Sequence, residues 1–446
     1  MTGFNTVGSP RKTASMRYLL FALICLIAFT SVDTFNTQLT GITDEQAIQQ
    51  GGDIRWQVLT IGLWIVLAAV SFIPGMAVAR PVRNGLVWPA VLLGWVVLSP
   101  LWGDDPARGV AKSLVFLVSS LAAWRMASVV TAKEMLACTF YTLLALMALS
   151  LLLVILVPAV GMLTHDWQHE GQWKGMFATK QGLGAVAAVF LVLAFLRLLH
   201  QRSLFNLGAC ILGLACLLGS GSRGGGVMAA VAVASLIVVR RSPKFAPVVT
   251  GILLLGLVLG TMEIAYFAST GNSSIQVFGS DINLTERTFI WQYAIGQWVD
   301  RPYFGFGLNG FWTSTEIFAR YLNSHGWVLD NYHSGYLAIT IETGLVGLFF
   351  FAALSINLAP RLRYLLLNAQ SNRLSLEMTV GYAIMFFTIN LTETYFLRST
   401  NFMAVLFSFL IVKTLAVPGP SVARQPLGAG AFNPGLGAVK PRVVAG

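Results

Sequence analysis

The sequence predicts an all-α polytopic membrane protein of about 12 transmembrane helices, with one large extracytoplasmic loop between the ninth and the tenth. Three observations carry this. The chain is 56% hydrophobic and only 11% charged over 446 residues, more apolar than a water-soluble core of that length needs. Apolar runs of roughly 17–25 residues recur along it, the length that crosses a bilayer as a helix. Basic residues sit in short loops beside those runs, as at Arg80/Arg83, Arg197/Arg202 and Arg240/Arg241/Lys244. That placement sets membrane orientation, so the net charge of +11 is a topology signal and not a nucleic-acid surface.

Residues 1–16 form a basic cytoplasmic segment with Arg11 and Lys12. No small-residue cleavage site follows, so 17–32 is expected to be an uncleaved first helix. Further spans are expected at 56–73, 85–101, 109–130, 135–161, 181–199, 204–220, 224–239 and 245–268, completing a transmembrane unit over 17–268. Span 109–130 carries Lys112, Ser113, Ser119 and Ser120, and so should face other helices rather than lipid. Residues 269–334 are the long polar interval, and 335–417 hold spans 335–357, 376–396 and 401–417. Residues 418–446 are rich in Pro and Gly and lack acidic groups, a composition that predicts a disordered cytoplasmic tail. With both termini in the cytoplasm, most of the 29 Lys and Arg fall on that side. Cys25, Cys138, Cys210 and Cys216 lie inside apolar runs without metal-ligand spacing and read as small core residues.

The long loop is a candidate active-site loop. Its length marks it as functional or disordered, and its aromatics argue against disorder. Ile290, Trp291, Ala294, Ile295 and Trp298 recur at helical spacing, which predicts a helix lying at the membrane interface. A glycine-rich turn, Gly305 to Gly310, follows Pro302. It matches GxGxxG formally, but no βαβ strand precedes it, so a nucleotide site is not supported. The chain also has no P-loop, D-x-D pair, HExxH or CxxC, so the residues point to no metal or cofactor. Charge compensation therefore falls to Arg and Lys.

Six residues stand out. Arg223 sits in the turn Ser220-Gly221-Ser222-Arg223-Gly224, where small neighbours would let an anion reach the guanidinium; the alternative is a snorkelling arginine. Arg287 and Arg301 bracket the interfacial helix and would either line an anionic pocket or pair with Glu286 and Asp300. Lys180 opens the sixth span, as a phosphate ligand or as an interfacial anchor. His333, with Asn331 and Tyr332 beside it, lies at the mouth of the tenth span and is suited to accept a hydroxyl proton near neutral pH. Glu342 is inside that span, where a carboxylate needs a partner and can support the site.

Three segments together resemble the O-antigen ligase and polymerase superfamily of bacterial membrane glycosyltransferases: Ser222-Arg223-Gly224-Gly225; Arg287 to Trp291 with Arg301-Pro302-Tyr303-Phe304-Gly305-Phe306-Gly307; and His333-Ser334-Gly335-Tyr336-Leu337 with Glu342-Thr343-Gly344. Lys174-Gly175-Met176-Phe177 with Lys180-Gln181 is a weaker fourth. The Gly-Phe-Gly and Phe311-Trp312 run looks most like the exopolysaccharide polymerase branch. The chain departs from the family at Ser334, where Asn is usual, and at Gln181, where the family pair is Lys-Asn.

The resemblance implies a GT-C-like fold in the bacterial inner membrane with its active site facing the periplasm. It implies a metal-independent, inverting glycosyl transfer that polymerises saccharide repeat units carried on undecaprenyl diphosphate. His333 would activate the acceptor hydroxyl, while Arg223 and Arg287, with Arg301 and Lys180, would hold the diphosphate. The implied partners are the lipid-linked donor, a glycan or lipid-linked acceptor, a chain-length regulator and a flippase. A ligase passing the glycan to lipid A-core would use the same donor chemistry. A secondary transporter is the rival from another class, but the chain lacks the two related halves that such a fold shows.

Overall fold

A computed structural model describes residues 54–71, 86–164, 169–177, 179–241, 275–277, 280–282, 287–325, 331–367, 373–398 and 402–415. The expected spans 17–32 and 245–268, both terminal segments and Cys25 lie outside these residues. Its helices are α1 (Ile54–Ser71), α2 (Val87–Leu98, continued by a 3-10 turn Ser99–Trp102), α3 (Pro106–Val129), α4 (Ala132–Leu156), α5 (Lys180–His200), α6 (Leu204–Ser220) and α7 (Arg223–Arg241). After a two-stranded antiparallel ribbon, β1 (Ile275–Val277) and β2 (Ser280–Ile282), come α8 (Arg287–Trp298), α9 (Thr315–His325), α10 (Gly335–Leu367), α11 (Arg373–Ile389) and α12 (Phe402–Leu415). Among the described residues, five helical stretches are long and apolar enough to cross a membrane: Gly109–Ser128, Ala132–Leu156, Lys180–His200, Arg223–Arg241 and Gly335–Tyr364. α6, α12 and the α2 stretch are shorter apolar helices. The protein is a polytopic helical membrane protein.

Local chemistry sets the helix ends. Thr131 and Glu134 form a reciprocal capping box at the start of α4. α4 stops at Leu156, short of the expected 161, because Pro158 cannot continue the backbone bonding and biases Val157 away from helix. Ser113 and Ser119 of α3 are buried, as their place in an apolar run required. Cys138 and Cys216 are buried core residues.

Two expectations need correction. The expected span 376–396 ends at Ile389. Asn390 terminates it: Oδ1 accepts from the backbone N–H groups of Tyr395 (2.9 Å) and Phe396 (2.8 Å), while Nδ2 donates to Phe386 O at 2.7 Å. Residues 390–398 become a compact turn instead of two more helical turns. The face of α8 is the second case. Ile290, Trp291, Ala294 and Ile295 are buried against protein and not offered to lipid. Trp291 Nε1 donates to Tyr332 O at 2.6 Å, which fixes the helix to the chain just before α10. Around it Tyr293, Phe311, Trp312, Tyr321 and Tyr332 pack ring against ring. The loop's aromatics are thus spent on a core of their own.

The glycine-rich turn is also internal. α10 is broken at Gly344 (φ 67°, ψ −175°), a conformation open in practice only to glycine. Residues 302–307 lie in the break. Phe306 N and Gly307 N donate to Ile341 O and Glu342 O, and Leu345 N donates to Pro302 O. Trp95 Nε1 donates to Thr343 O and Trp102 Nε1 to Phe304 O, each at 2.9 Å. Non-helical backbone in an apolar helix survives only when its polar groups are satisfied by protein, and here they are.

Candidate active site

The site forms where the starts of α5, α7 and α10 meet the turn after α11. Small residues bring these ends together. A Cβ on Gly225 would lie 2.7 Å from Gly184 O, so α7 rests directly on α5. A Cβ on Gly224 would collide with Thr392 Oγ1, and one on Gly335 with Asn390 Oδ1. The 390–398 turn is therefore wedged between the Arg223 turn and the start of α10.

At its centre is a residue that the sequence reading did not single out, Glu393. Its carboxylate is nearly buried and bridges two expected site residues: Oε1 lies 3.0 Å from Arg287 Nη2 and Oε2 lies 3.2 Å from His333 Nδ1. His333 has a left-handed backbone (φ 50°), and its N–H donates to Asn331 Oδ1 at 3.0 Å. Asn331 thus supports the histidine backbone, in the local side-chain-to-backbone pattern that Asn favours. With Nδ1–H donating to the carboxylate, Nε2 carries the lone pair and can accept a proton. The signal for Glu393 was present: a carboxylate inside an apolar run needs a partner, the rule that singled out Glu342.

Arg223 is exposed at the first position of α7. Ser222 caps the helix, its Oγ accepting from Gly225 N at 3.2 Å, and Gly221 takes the left-handed turn before it (φ 61°). A cation at a helix N-terminus opposes the helix dipole, so two positive sources point the same way. Lys180 is buried, and Nζ donates to Gln172 Oε1 at 2.7 Å. The Gln172 side chain lies against Gly221, within 3.1–3.2 Å of where a Cβ there would stand. Lys180 is thereby tied to the same turn as Arg223.

Two expected residues lie in a different network. Arg301 Nη1 pairs with Asp104 Oδ1 at 2.7 Å, and its guanidinium sits 4.9 Å from the Phe306 ring centre. It is engaged at the broken helix and does not join Arg287 and His333. Its partner is Asp104 rather than Asp300; Arg287 pairs with Glu393, and Glu286 lies outside the described residues. Glu342 is fully buried, pairs with Arg398 at 3.1 Å, and accepts from Asn309 N at 2.9 Å. Burial beside Glu342 pushes the Tyr332 phenol well above its usual range, so that hydroxyl stays neutral. Glu342 holds the glycine turn through Asn309, and Tyr332, next to His333 in sequence, packs into the aromatic core.

Fold and site together define a polytopic helical membrane protein that presents a histidine–carboxylate–arginine cluster and further cations at one end of its bundle. The family model described as O-antigen ligase matches residues 208–352, a stretch that contains Arg223, Arg287, Arg301, His333 and Glu342. The match supports the O-antigen ligase and polymerase superfamily, and with it a membrane glycosyltransferase-like activity. Lys180 and Glu393 fall outside the matched stretch. No curated protein matches the chain.

Proposed function

We propose that the protein is an inverting glycosyltransferase of the bacterial inner membrane, its site facing the periplasm, that polymerises undecaprenyl-diphosphate-linked repeat units into a surface polysaccharide. The observation that carries this reading is the Glu393 bridge between Arg287 and His333. His333 Nε2 takes the proton from an acceptor hydroxyl. The freed oxygen attacks the anomeric carbon on the face opposite the diphosphate. The anomeric C–O bond breaks, and its electron pair leaves with the lipid diphosphate. The charge that builds there is met by Arg223 and by the N–H groups of Arg287 not committed to Glu393, with Lys180 behind the Arg223 turn. A positioned base contributes roughly 10²–10⁴-fold. Glu393 holds the imidazole tautomer and stabilises the imidazolium formed during transfer.

The description of the matching family, O-antigen ligase, favours a second reading: a ligase, which by the resemblance drawn from the sequence would pass a finished glycan to lipid A-core. One experiment separates them. His333→Ala is placed in a deletion background at matched membrane levels, and lipid-linked saccharides and surface polysaccharide are extracted together. Loss of polymer with build-up of single-repeat lipid intermediates supports the polymerase. Build-up of long lipid-linked polymer supports the ligase. Unchanged profiles overturn the role of His333.

A further inference from the structure

α5, α7 and α11 are joined a second time, at the end of the bundle opposite His333. There Glu377 of α11 is buried, its side chain 1% exposed. One carboxylate gathers three cationic or protonatable groups: His200 Nε2 at the end of α5 (2.7 Å), Arg240 Nη1 at the end of α7 (3.4 Å) and Arg373 Nε at the start of α11 (3.0 Å). The arginines add backbone bonds across the helices, Arg240 Nη2 to Leu199 O (2.8 Å) and Arg373 Nη2 to Arg240 O (2.6 Å). Midway along, a Cβ on Gly381 of α11 would stand 3.8 Å from Leu236 of α7 and 3.9 Å from Val192 of α5. At the His333 end the same three helices present Lys180, Arg223 and, through the turn after Ile389, Glu393. Nothing in the proposed chemistry uses Glu377, which lies about 30 Å away along α5.

We propose that Glu377 is a remote positioning residue: it locks the axial register of α5, α7 and α11, and through that register the relative placement of Lys180, Arg223 and Glu393. The physical reason lies in the form of the contact. Apolar helix faces slide past one another at low cost, because one methyl contact replaces another. A buried carboxylate shared by three helices has one satisfied arrangement, and a shift of any helix leaves a charge without its partner. Packing along the seam transmits that choice: Gly184 and Gly225 bring α5 and α7 close enough that side chains cannot absorb a shift, and Gly381 of α11 lies at contact distance from both helices. The consequence for catalysis rests on the functional reading above; the mechanical coupling does not.

The test uses full-length Glu377→Gln and the milder His200→Ala, with Leu354→Ala on α10 as a control that loosens the core elsewhere. Hydrogen exchange is followed over 179–184, 219–226 and 390–398. Transfer is measured per folded molecule, using lipid-linked saccharides extracted from the deletion strain. Glu377→Gln is expected to speed exchange in all three segments and His200→Ala chiefly in 179–184, with KM raised roughly 2–30-fold, the range of couplings across packed elements. Leu354→Ala should leave these segments and KM unchanged. Faster exchange confined to the neighbourhood of residue 377, with KM and kcat unchanged, would overturn the proposal. If the distant segments loosen but Arg223→Ala and His333→Ala transfer normally, the coupling stands and the functional reading falls.

Discussion

The Glu393 carboxylate stands 3.2 Å from His333 Nδ1, although 60 residues separate the two in sequence. The contact assigns the two ring nitrogens: Nδ1 faces the carboxylate, and Nε2 is left as the proton acceptor. Glu393→Gln keeps the size of the side chain and removes its charge, so the imidazolium formed in transfer loses its counter-ion. The loss should fall within the roughly 10²–10⁴-fold that a positioned general base contributes. The expected result is that loss in kcat with little change in KM, measured on purified protein with extracted lipid-linked saccharide. A wild-type kcat would remove Glu393 from the mechanism.

The helical architecture was legible because bilayer length and loop charge are written directly in the sequence. The site was legible in part. Arg223 and His333 sit in turns whose polar character stands out against apolar runs, and both lie where the helix starts converge. Glu393 carried a signal as a carboxylate in an apolar run, but its place beside His333 was hidden, because Asn390 ends α11 through bonds to residues five and six positions on and hydropathy does not report such a cap. The partner of Arg301 was hidden for a different reason. Asp104 is almost 200 residues earlier, and its approach depends on how residues 302–307 fill the break in α10. The face of α8 was misread because apolar periodicity gives a side to bury without saying whether lipid or protein covers it.

Arg301→Ala is expected to change little. Its pair with Asp104 is exposed on both sides, 41% and 33%, and such pairs contribute about 0–1 kcal/mol. Transfer should stay within a few-fold of wild type while Arg287→Ala loses most activity. A loss as deep for Arg301→Ala as for Arg287→Ala would return Arg301 to the anion site.

Glu342→Ala should act on stability. The carboxylate is fully buried, balances Arg398 and holds Asn309 N, so its removal takes that counter-charge from Arg398 and frees the glycine turn. Breaking a buried pair by removing one partner costs about 3–5 kcal/mol. Gly344→Ala should be worse still, because a Cβ there meets Tyr303 O and the positive φ excludes it. Thermal unfolding in detergent checks both. Glu342→Ala at wild-type stability would mean that the turn is held without it.

Arg223 gives the sharpest test of the donor site. It is exposed, caps no helix end and stands at the positive pole of α7, so its removal should spare the fold. A charge-assisted bond to a phosphate oxygen contributes about 1.5–3 kcal/mol, which corresponds to roughly 10–150-fold in KM for a lipid-diphosphate donor. Arg223→Ala should show that rise with unaltered thermal stability. Arg223→Lys should recover part of it, because the charge returns without the bidentate fork. The rise should shrink as ionic strength increases, since an exposed cation is screened within a Debye length of about 8–10 Å. If Arg223→Ala instead lowers kcat at constant KM, the guanidinium meets charge only as the leaving diphosphate departs. Its place is then beside the breaking C–O bond and not at the lipid headgroup.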